Sequence, residues 1–152
     1  MSKHYYSGKF VPRNTDKYKG DLKKITYRSG WERKVMSILD MSSNVLEWSS
    51  EVPIKYRCAT DGQEHRYYID FYVKKQLADG SISKELWEVK PQRQTKPPAA
   101  RGKKKSRFLQ EQQTYIKNCS KWEAAKKFAA KYDMKFFLVT EQTINNTSTS
   151  NL

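Results

Sequence analysis

Apolar residues recur with a helical period shortly after residue 28. The positions i, i+4, i+7 and i+8 of this pattern form one apolar face made of Trp31, Val35, Ile38 and Leu39. The stretch Ser29-Gly30-Trp31-Glu32 also has the composition of a capping box, in which Ser29 is the N-cap and Glu32 reaches back to its amide. We therefore predict a helix that begins after Ser29.

From residue 46 the period changes to two, which is typical of β-strands. The alternation predicts strands over residues 46–56, 65–73 and 83–90, and Pro53 places the first of them at a sheet edge or a bulge. In the second strand, the expected core positions Tyr67, Ile69, Phe71 and Val73 alternate with Tyr68, Asp70 and Tyr72. Further along, the pattern predicts a short helix over 108–117, a second helix from a capping box at Ser120, and a buried strand over 135–140.

The second and third strands form the arms of a hairpin, and the length of its loop decides which residues face each other. A two-residue loop, Asp79-Gly80, would place Asp70 opposite Val89 and turn the two nearby carboxylates to opposite faces. A three-residue loop, 78–80, with Gly80 in the left-handed conformation, would place Asp70 opposite Glu88 instead. Their Cβ atoms would then be roughly 4.5–5.5 Å apart.

Asp70, Glu88 and Lys90 together suggest a metal-dependent site that cleaves phosphodiester bonds. Glu88 and Lys90 point the same way because side chains alternate along a strand. Two carboxylates about 4 Å apart repel by ~4 kcal/mol at an effective dielectric constant near 20, so a cation is expected between them. Oxygen ligands select Mg²⁺, with Mn²⁺ as a substitute, and Lys90 can hold the attacking water or a phosphate oxygen. The alternative is a solvated polar stripe in which Lys90 neutralises one acid.

The charge of the chain favours a polyanionic partner. In 152 residues there are 30 Lys and Arg against 16 Asp and Glu, a formal charge of +14. Nucleic acid is the expected partner, because basic side chains release counterions when they bind phosphates. No apolar run approaches the ~20 residues that span a bilayer, and the N-terminus has no apolar signal-like stretch, so we predict an intracellular protein without a membrane partner.

Other reaction classes have no support in the sequence. The two cysteines, Cys58 and Cys119, form no Cys-x-x-Cys pair and have no zinc-ligand spacing to the two histidines. Neither a nucleophile motif nor a glycine-rich phosphate loop followed by Lys-Ser/Thr is present. Triad hydrolysis, structural zinc and nucleotide binding are therefore not predicted.

Basic residues divide the chain into a predicted arm, a domain and a tail. Residues 1–28 are basic and aromatic, and such an arm could wrap the domain, touch DNA or remain a flexible solubilising segment. Residues 29–142 form the domain, which contains a basic loop over 91–107, and residues 143–152 are predicted to be a disordered polar tail. The predicted DNA-binding residues are Arg28, Arg93, Lys96, Arg101, Lys103, Lys104, Lys105 and Arg107.

The predicted element order, α-β-β-β-α-β, resembles the restriction-endonuclease-like core of the PD-(D/E)xK nuclease superfamily. The fold class is then α/β (α+β), with a mixed β-sheet flanked by helices. The resemblance implies that Glu32, Asp70, Glu88 and Lys90 are catalytic, so Glu32 is both a helix cap and a candidate catalytic carboxylate. The proline that often precedes the aspartate in this superfamily is replaced here by Ile69.

The resemblance also implies a role for each site residue. Asp70, Glu88 and the Val89 carbonyl would ligate the first Mg²⁺. Lys90 would position or deprotonate the attacking water, and Glu32 would support a second ion or orient that water. The bound DNA would be recognised through its phosphates with little sequence preference.

A closer resemblance is carried by YRSGWER at 27–33, LEWSSE at 46–51, HRYYIDF at 65–71 and EVKP at 88–91. Together they are similar to the head completion proteins of T-even-type bacteriophages and to the endonuclease subunit that cuts transposon ends. This implies a virion-assembly protein that acts after DNA packaging and before the tail joins, with double-stranded DNA and portal or other head proteins as partners.

The sequence leaves several properties of such an assembly protein undecided. We expect it in the host cytoplasm during assembly, with retention in the virion left open, and a homodimer would suit two-strand cutting. The alternative function is a DNA-binding plug at the portal that never cuts.

Overall fold

The computed structural model describes residues 7–147. The elements are β1 (Gly8–Lys9), β2 (Thr26–Tyr27), α1 (Gly30–Met41), β3 (Val45–Arg57), β4 (Glu64–Gln76), β5 (Ile82–Val89), α2 (Lys105–Lys131), β6 (Lys135–Val139) and α3 (Glu141–Thr147). The predicted order α-β-β-β-α-β is confirmed by α1, β3, β4, β5, α2 and β6. No helix between residues 7 and 147 is long and apolar enough to cross a membrane.

A four-stranded mixed sheet organises the domain in the order β3-β4-β5-β6. The first three strands are antiparallel, and β5 pairs in parallel with β6. Pro53 lies on β3, at the edge of this sheet, where its missing N–H is tolerated. The mixed sheet flanked by helices agrees with the predicted fold class.

The two long helices cover opposite faces of the sheet. Trp87 of β5 packs in a buried cluster with Val35 and Leu39 of α1. The preceding residue, Leu86, packs in a second cluster with Ala125 of α2. Adjacent strand residues point to opposite faces, so each helix buries one face of β5.

Strand β4 contributes to both clusters. Its buried residues before Asp70 pack in one cluster and its buried residues after Asp70 pack in the other. Tyr67 and Ile69 pack in the cluster of α2, whereas Phe71 and Val73 pack in the cluster of α1. All four are buried as predicted, but they do not share one core. On β3, Glu51 lies between the partners of Ile69 and Phe71 and has a left-handed φ of 57°. The strand pair is therefore distorted next to Asp70.

The hairpin between β4 and β5 has the three-residue loop. Leu77 N donates to Ser81 O at 2.7 Å, and Gly80 has a φ of +88°. Glycine reaches this conformation without a steric penalty, because it has no Cβ. The resulting register pairs Phe71 with Trp87, so Asp70 comes next to Glu88, as predicted for this loop length.

The N-terminal segment from residue 7 packs against the domain. Ile25 is fully buried, and the rings of Phe10 and Tyr18 contact Trp48 edge-on at centroid distances of 6.0 and 4.7 Å. The buried Asp40 accepts hydrogen bonds from the backbone N–H groups of two arm residues, Arg13 and Asn14. The arm was expected to wrap the domain, touch DNA or remain flexible, and the contacts of residues 7–28 agree with the first of these. Residues 1–6 lie outside the described part of the chain.

Two predictions about the C-terminal part are wrong. One continuous helix, α2, replaces the two predicted helices, and Ser120 is not an N-cap because its Oγ donates to Ile116 O at 3.2 Å inside the helix. Residues 143–147, predicted to be disordered, belong to α3, whose Ile144 is buried in the core. Ile144 is the apolar side chain by which this polar stretch packs against the cluster of α1. Residues 148–152 lie outside the described part.

Candidate active site

Asp70 and Glu88 lie side by side on β4 and β5. The backbone N–H of Asp70 donates to Glu88 Oε1 at 3.3 Å, and the backbone N–H of Val89 donates to Asp70 Oδ2 at 2.8 Å. Each carboxylate is thus held by the strand that carries the other. Such mutual bonds fix both side chains before any ligand binds.

Lys90 follows directly after the end of β5. Its Nζ lies 3.8 Å from Glu88 Oε2, and its backbone N–H donates to Val139 O at 2.9 Å, which ties this strand end to β6. The alternation predicted for Glu88 and Lys90 is therefore present, and the ammonium lies on the same side as the carboxylate.

Glu32 reaches the same region from the first turn of α1. Ser29 Oγ accepts from the backbone N–H of Glu32 at 3.1 Å, so the predicted N-cap is confirmed. In a regular capping box the Glu32 side chain would accept from the backbone N–H of Ser29. Here Glu32 Oε1 accepts instead from Arg28 N at 3.4 Å. Burial, followed by the negative charge of Asp70, raises the pKa of Glu32 to about 7. Glu32 therefore interacts electrostatically with Asp70.

The environment of Asp70 and Glu88 opposes their negative charges. Burial raises the pKa of both carboxyls, and the charge of Glu88 raises the pKa of Asp70 further. The Val89 N–H and Lys90 act in the opposite direction on Asp70. Glu88 is only 5% exposed, because α2 covers this face of the sheet. The carboxylates are therefore not solvated as the alternative assumed, although Lys90 does pair with one of them, Glu88, as it also assumed.

The donor set fits a hard divalent cation. Asp70 and Glu88 present carboxylate oxygens, and Mg²⁺ is commonly bound by one or two carboxylates, with waters and phosphate oxygens completing its shell. Within residues 7–147, no group of three or more His, Cys, Asp or Glu side chains converges as metal ligands. Glu32 is thus an electrostatic neighbour in this structure and not a ligand in a preformed cage.

The predicted DNA-binding residues fall into two groups. Three of them form ion pairs: Arg28 with Glu51, and Lys103 and Arg107 with Glu111. The others are exposed and form no ion pair within the described chain, and they are Arg93, Lys96, Arg101, Lys104 and Lys105. The basic loop ends earlier than predicted, because α2 begins at Lys105. The start of the basic loop is fixed by Glu141, whose Oε2 accepts from Gln92 N at 2.9 Å.

Two residues near the site were not predicted as functional. Tyr67 was assigned to the core, yet its hydroxyl interacts with the Glu88 carboxylate. Lys121 lies on α2, and its Nζ is 5.4 Å from the centroid of the Tyr67 ring. No spacing in the sequence relates Lys121 to Glu88 or Lys90, because only the packing of α2 on the sheet brings them together.

Comparison with known proteins agrees with this geometry. The family model "TnsA-like endonuclease N terminal" matches residues 42–141, which include Asp70, Glu88 and Lys90 but not Glu32. The chain is also 40% identical over 141 residues to a head completion nuclease of Enterobacteria phage T4, a match that covers 90% of this chain and 91% of that protein. Matches of this extent show that the chain belongs to the TnsA-like endonuclease family, whose fold is the restriction-endonuclease-like one predicted from its motifs.

Proposed function

We propose that this protein is a divalent-metal-dependent DNA endonuclease that acts in phage head completion. The observation that carries the proposal is the pair of buried carboxylates, Asp70 and Glu88, held by each other's strands with Lys90 beside them. Family membership and the identity to a head completion nuclease support the same reaction. Mg²⁺ is the expected cofactor and Mn²⁺ its substitute.

The chain's own groups account for the steps of hydrolysis. Asp70, Glu88 and the Val89 carbonyl would hold the cation, which would polarise the scissile phosphate and favour loss of a proton from the attacking water. Lys90 donates a hydrogen bond to the attacking water or to a phosphate oxygen, and Glu32 accepts one from that water. The water oxygen would bond to phosphorus and release a proton to solvent as the bond to the leaving oxygen breaks, and the leaving oxygen would take a proton from solvent.

The basic surface would hold DNA by its backbone. The five exposed cations without an ion pair lie on the segment that follows Lys90. Contacts from such residues to phosphates position a duplex without reading its sequence. We therefore propose double-stranded DNA as the substrate, bound with little sequence preference. Arg28, Lys103 and Arg107 would exchange their present carboxylate partners for phosphates.

The assembly setting is proposed from the relative. A head completion nuclease would act on packaged heads in the host cytoplasm and meet the portal or another head protein. Retention in the virion and action as a homodimer, which would supply two sites for two strands, are parts of the same proposal.

The testing experiment is cleavage of linear and supercoiled duplex DNA with Mg²⁺, Mn²⁺ or EDTA. We expect nicking by the wild type with either metal, none in EDTA, and none by Asp70→Asn. Asp133→Asn is the matched control, because Asp133 is exposed and its φ of 58° suits asparagine. Its cleavage should equal that of the wild type.

Binding without cleavage in any metal would overturn the proposed enzyme. That outcome would favour the DNA-binding plug at the portal, whose basic surface is the same. Equal activity of Asp70→Asn and wild type would also contradict the proposed site.

A further inference from the structure

Lys121 is held beside the active site by aromatic rings. Its Nζ lies 5.4 Å from the ring centroid of Tyr67 and 5.9 Å from that of Tyr56, so the ammonium lies over two π-faces. Tyr67 in turn reaches Glu88, although its buried hydroxyl makes no regular hydrogen bond with any described residue. The two rings thus fix a cation next to the carboxylate pair.

The Lys121 ammonium is half-buried and lacks an anionic partner in contact. It forms no hydrogen bond and no ion pair within residues 7–147, and the two tyrosine rings that it contacts are uncharged. Its pKa is lowered first by burial and then by the positive charge of Lys90, while Glu88 acts in the opposite direction. Since no protein group within residues 7–147 accepts from this ammonium, it is available to donate to an anion from solution.

The carboxylates of the site already have partners within the protein. Glu88 is already bonded to the Asp70 N–H and lies 3.8 Å from Lys90 Nζ, and Asp70 is bonded to the Val89 N–H. Lys90 lies near enough to Lys121 for its positive charge to lower the pKa of that ammonium, so an anion from solution at this place would be attracted by both groups. The phosphodiester of a nucleic acid is the anion that the surrounding basic surface attracts.

We propose that Lys121 binds a backbone phosphate of the substrate next to the scissile phosphodiester. This rests on the proposed function, in that the substrate is DNA. The rings of Tyr56 and Tyr67 hold the ammonium in place before DNA binds, which reduces the loss of side-chain entropy on binding. Lys121 is thus a substrate-binding residue contributed by α2.

The test compares variants that lose the same charge at two positions of α2. Lys121→Met keeps the aliphatic stem on the rings, and Lys127→Met removes an exposed ammonium of the same helix. Fluorescence anisotropy with a labelled duplex in EDTA gives Kd as a function of salt without any cleavage. We expect Lys121→Met to weaken binding about tenfold and to reduce the salt slope by about 1, with less than a threefold effect for Lys127→Met.

A merely structural role for Lys121 predicts other results. In that case Lys121→Met would change Tm but would bind DNA like Lys127→Met, and this outcome would overturn the proposal. Lys121→Arg keeps the charge and should restore binding to within threefold, whereas Lys121→Gln should not. If Lys121→Met does not fold, the contrast between Arg and Gln decides.

The outcome can be separated from that of the proposed function. A wild type that binds but does not cleave contradicts the enzyme and leaves the contrast between Lys121 and Lys127 fully measurable. A wild type that does not bind DNA overturns both. Where cleavage occurs, Lys121→Met should raise KM about tenfold with a smaller change in kcat.

Discussion

At the scale of single residues, the site depends on two carboxylates that each use the other's backbone. Asp70 accepts from Val89 N–H, and Glu88 accepts from Asp70 N–H. These bonds hold two carboxyl groups close together in a buried place, where two negative charges would repel more strongly than in water and where the pKa of both groups is raised. The arrangement is favourable for binding a cation and unfavourable for the metal-free protein.

Replacement of Asp70 should therefore stabilise the metal-free protein. Asn can still accept from the Val89 N–H, while one of the two repelling charges disappears. The pKa of Asp70 is raised to about 8 by burial and by Glu88, so the carboxyl is ionised only above that pH, and we expect Asp70→Asn to raise Tm in EDTA at pH 9 by a few °C. This corresponds to about 1–2 kcal/mol for a chain of this size, and the difference should shrink at pH 7. Calorimetry with and without Mg²⁺ measures this, and Mg²⁺ should raise the Tm of the wild type alone. A lower Tm for Asp70→Asn would contradict this picture of the site.

Glu32 should matter for the rate more than for DNA binding. Glu32→Gln keeps an oxygen that can accept from Arg28 N, so the first turn of α1 is preserved. It removes the carboxylate that would orient the attacking water, and we expect kcat to fall by about 10²-fold or more with Kd for DNA unchanged. Single-turnover cleavage is the measurement. Glu123→Gln, at an exposed position of α2, is the control and should be fully active.

At the scale of elements, α1 is fixed at both ends by neighbouring segments. Its N-terminus carries Glu32 and is capped by Ser29. At its C-terminus, Lys17 Nζ donates to the backbone carbonyls of Leu39, Asp40 and Ser42 at 3.2, 2.9 and 2.7 Å. A cation at this end satisfies free carbonyls and is attracted by the helix dipole. The arm therefore helps to position the helix that carries Glu32.

Loss of the Lys17 ammonium should weaken this attachment. We expect Lys17→Met to lower the free energy of unfolding by about 1.5–3 kcal/mol, the usual contribution of hydrogen bonds to a charged group. Urea denaturation measures it. Lys23→Met removes an exposed charge of the same arm and should change stability by less than about 0.5 kcal/mol. Equal losses for both variants would show that the carbonyl contacts do not matter.

At the scale of the whole molecule, a net charge of +14 governs encounter with DNA. Exposed basic residues lie on the loop after Lys90 and at the start of α2, where few acids neutralise them. Such a surface attracts phosphates irrespective of sequence and is screened by salt. Affinity for DNA should therefore depend on ionic strength more than on base composition.

The salt dependence of DNA binding has an expected magnitude. If about six basic residues neutralise phosphates, the logarithm of the association constant should fall with the logarithm of salt concentration with a slope near −5. Titration of duplexes of one length and unrelated sequences measures it, and their affinities should agree within about threefold. A slope near zero would remove DNA as the partner.

Local patterns in the sequence determined the elements and most of the candidate site. The strand period placed Glu88 and Lys90 on one side, and a glycine that adopts a positive φ set the loop length that brings Asp70 next to Glu88. The capping serine located the start of α1 and thus Glu32. These features depend on residues close in the chain, for which conformational preferences are strong enough to be predicted.

Only the tertiary structure decided the features that depend on packing between distant segments. Ile144 of α3 is buried in the cluster of α1, and Ser120 lies within α2, where its Oγ accepts from the backbone N–H of Ala59, a residue 61 positions earlier in the chain. The same packing of α2 buries Glu88 and places Lys121 over Tyr67. No local pattern encodes such contacts, because their energies arise only when the sheet and both helices are assembled.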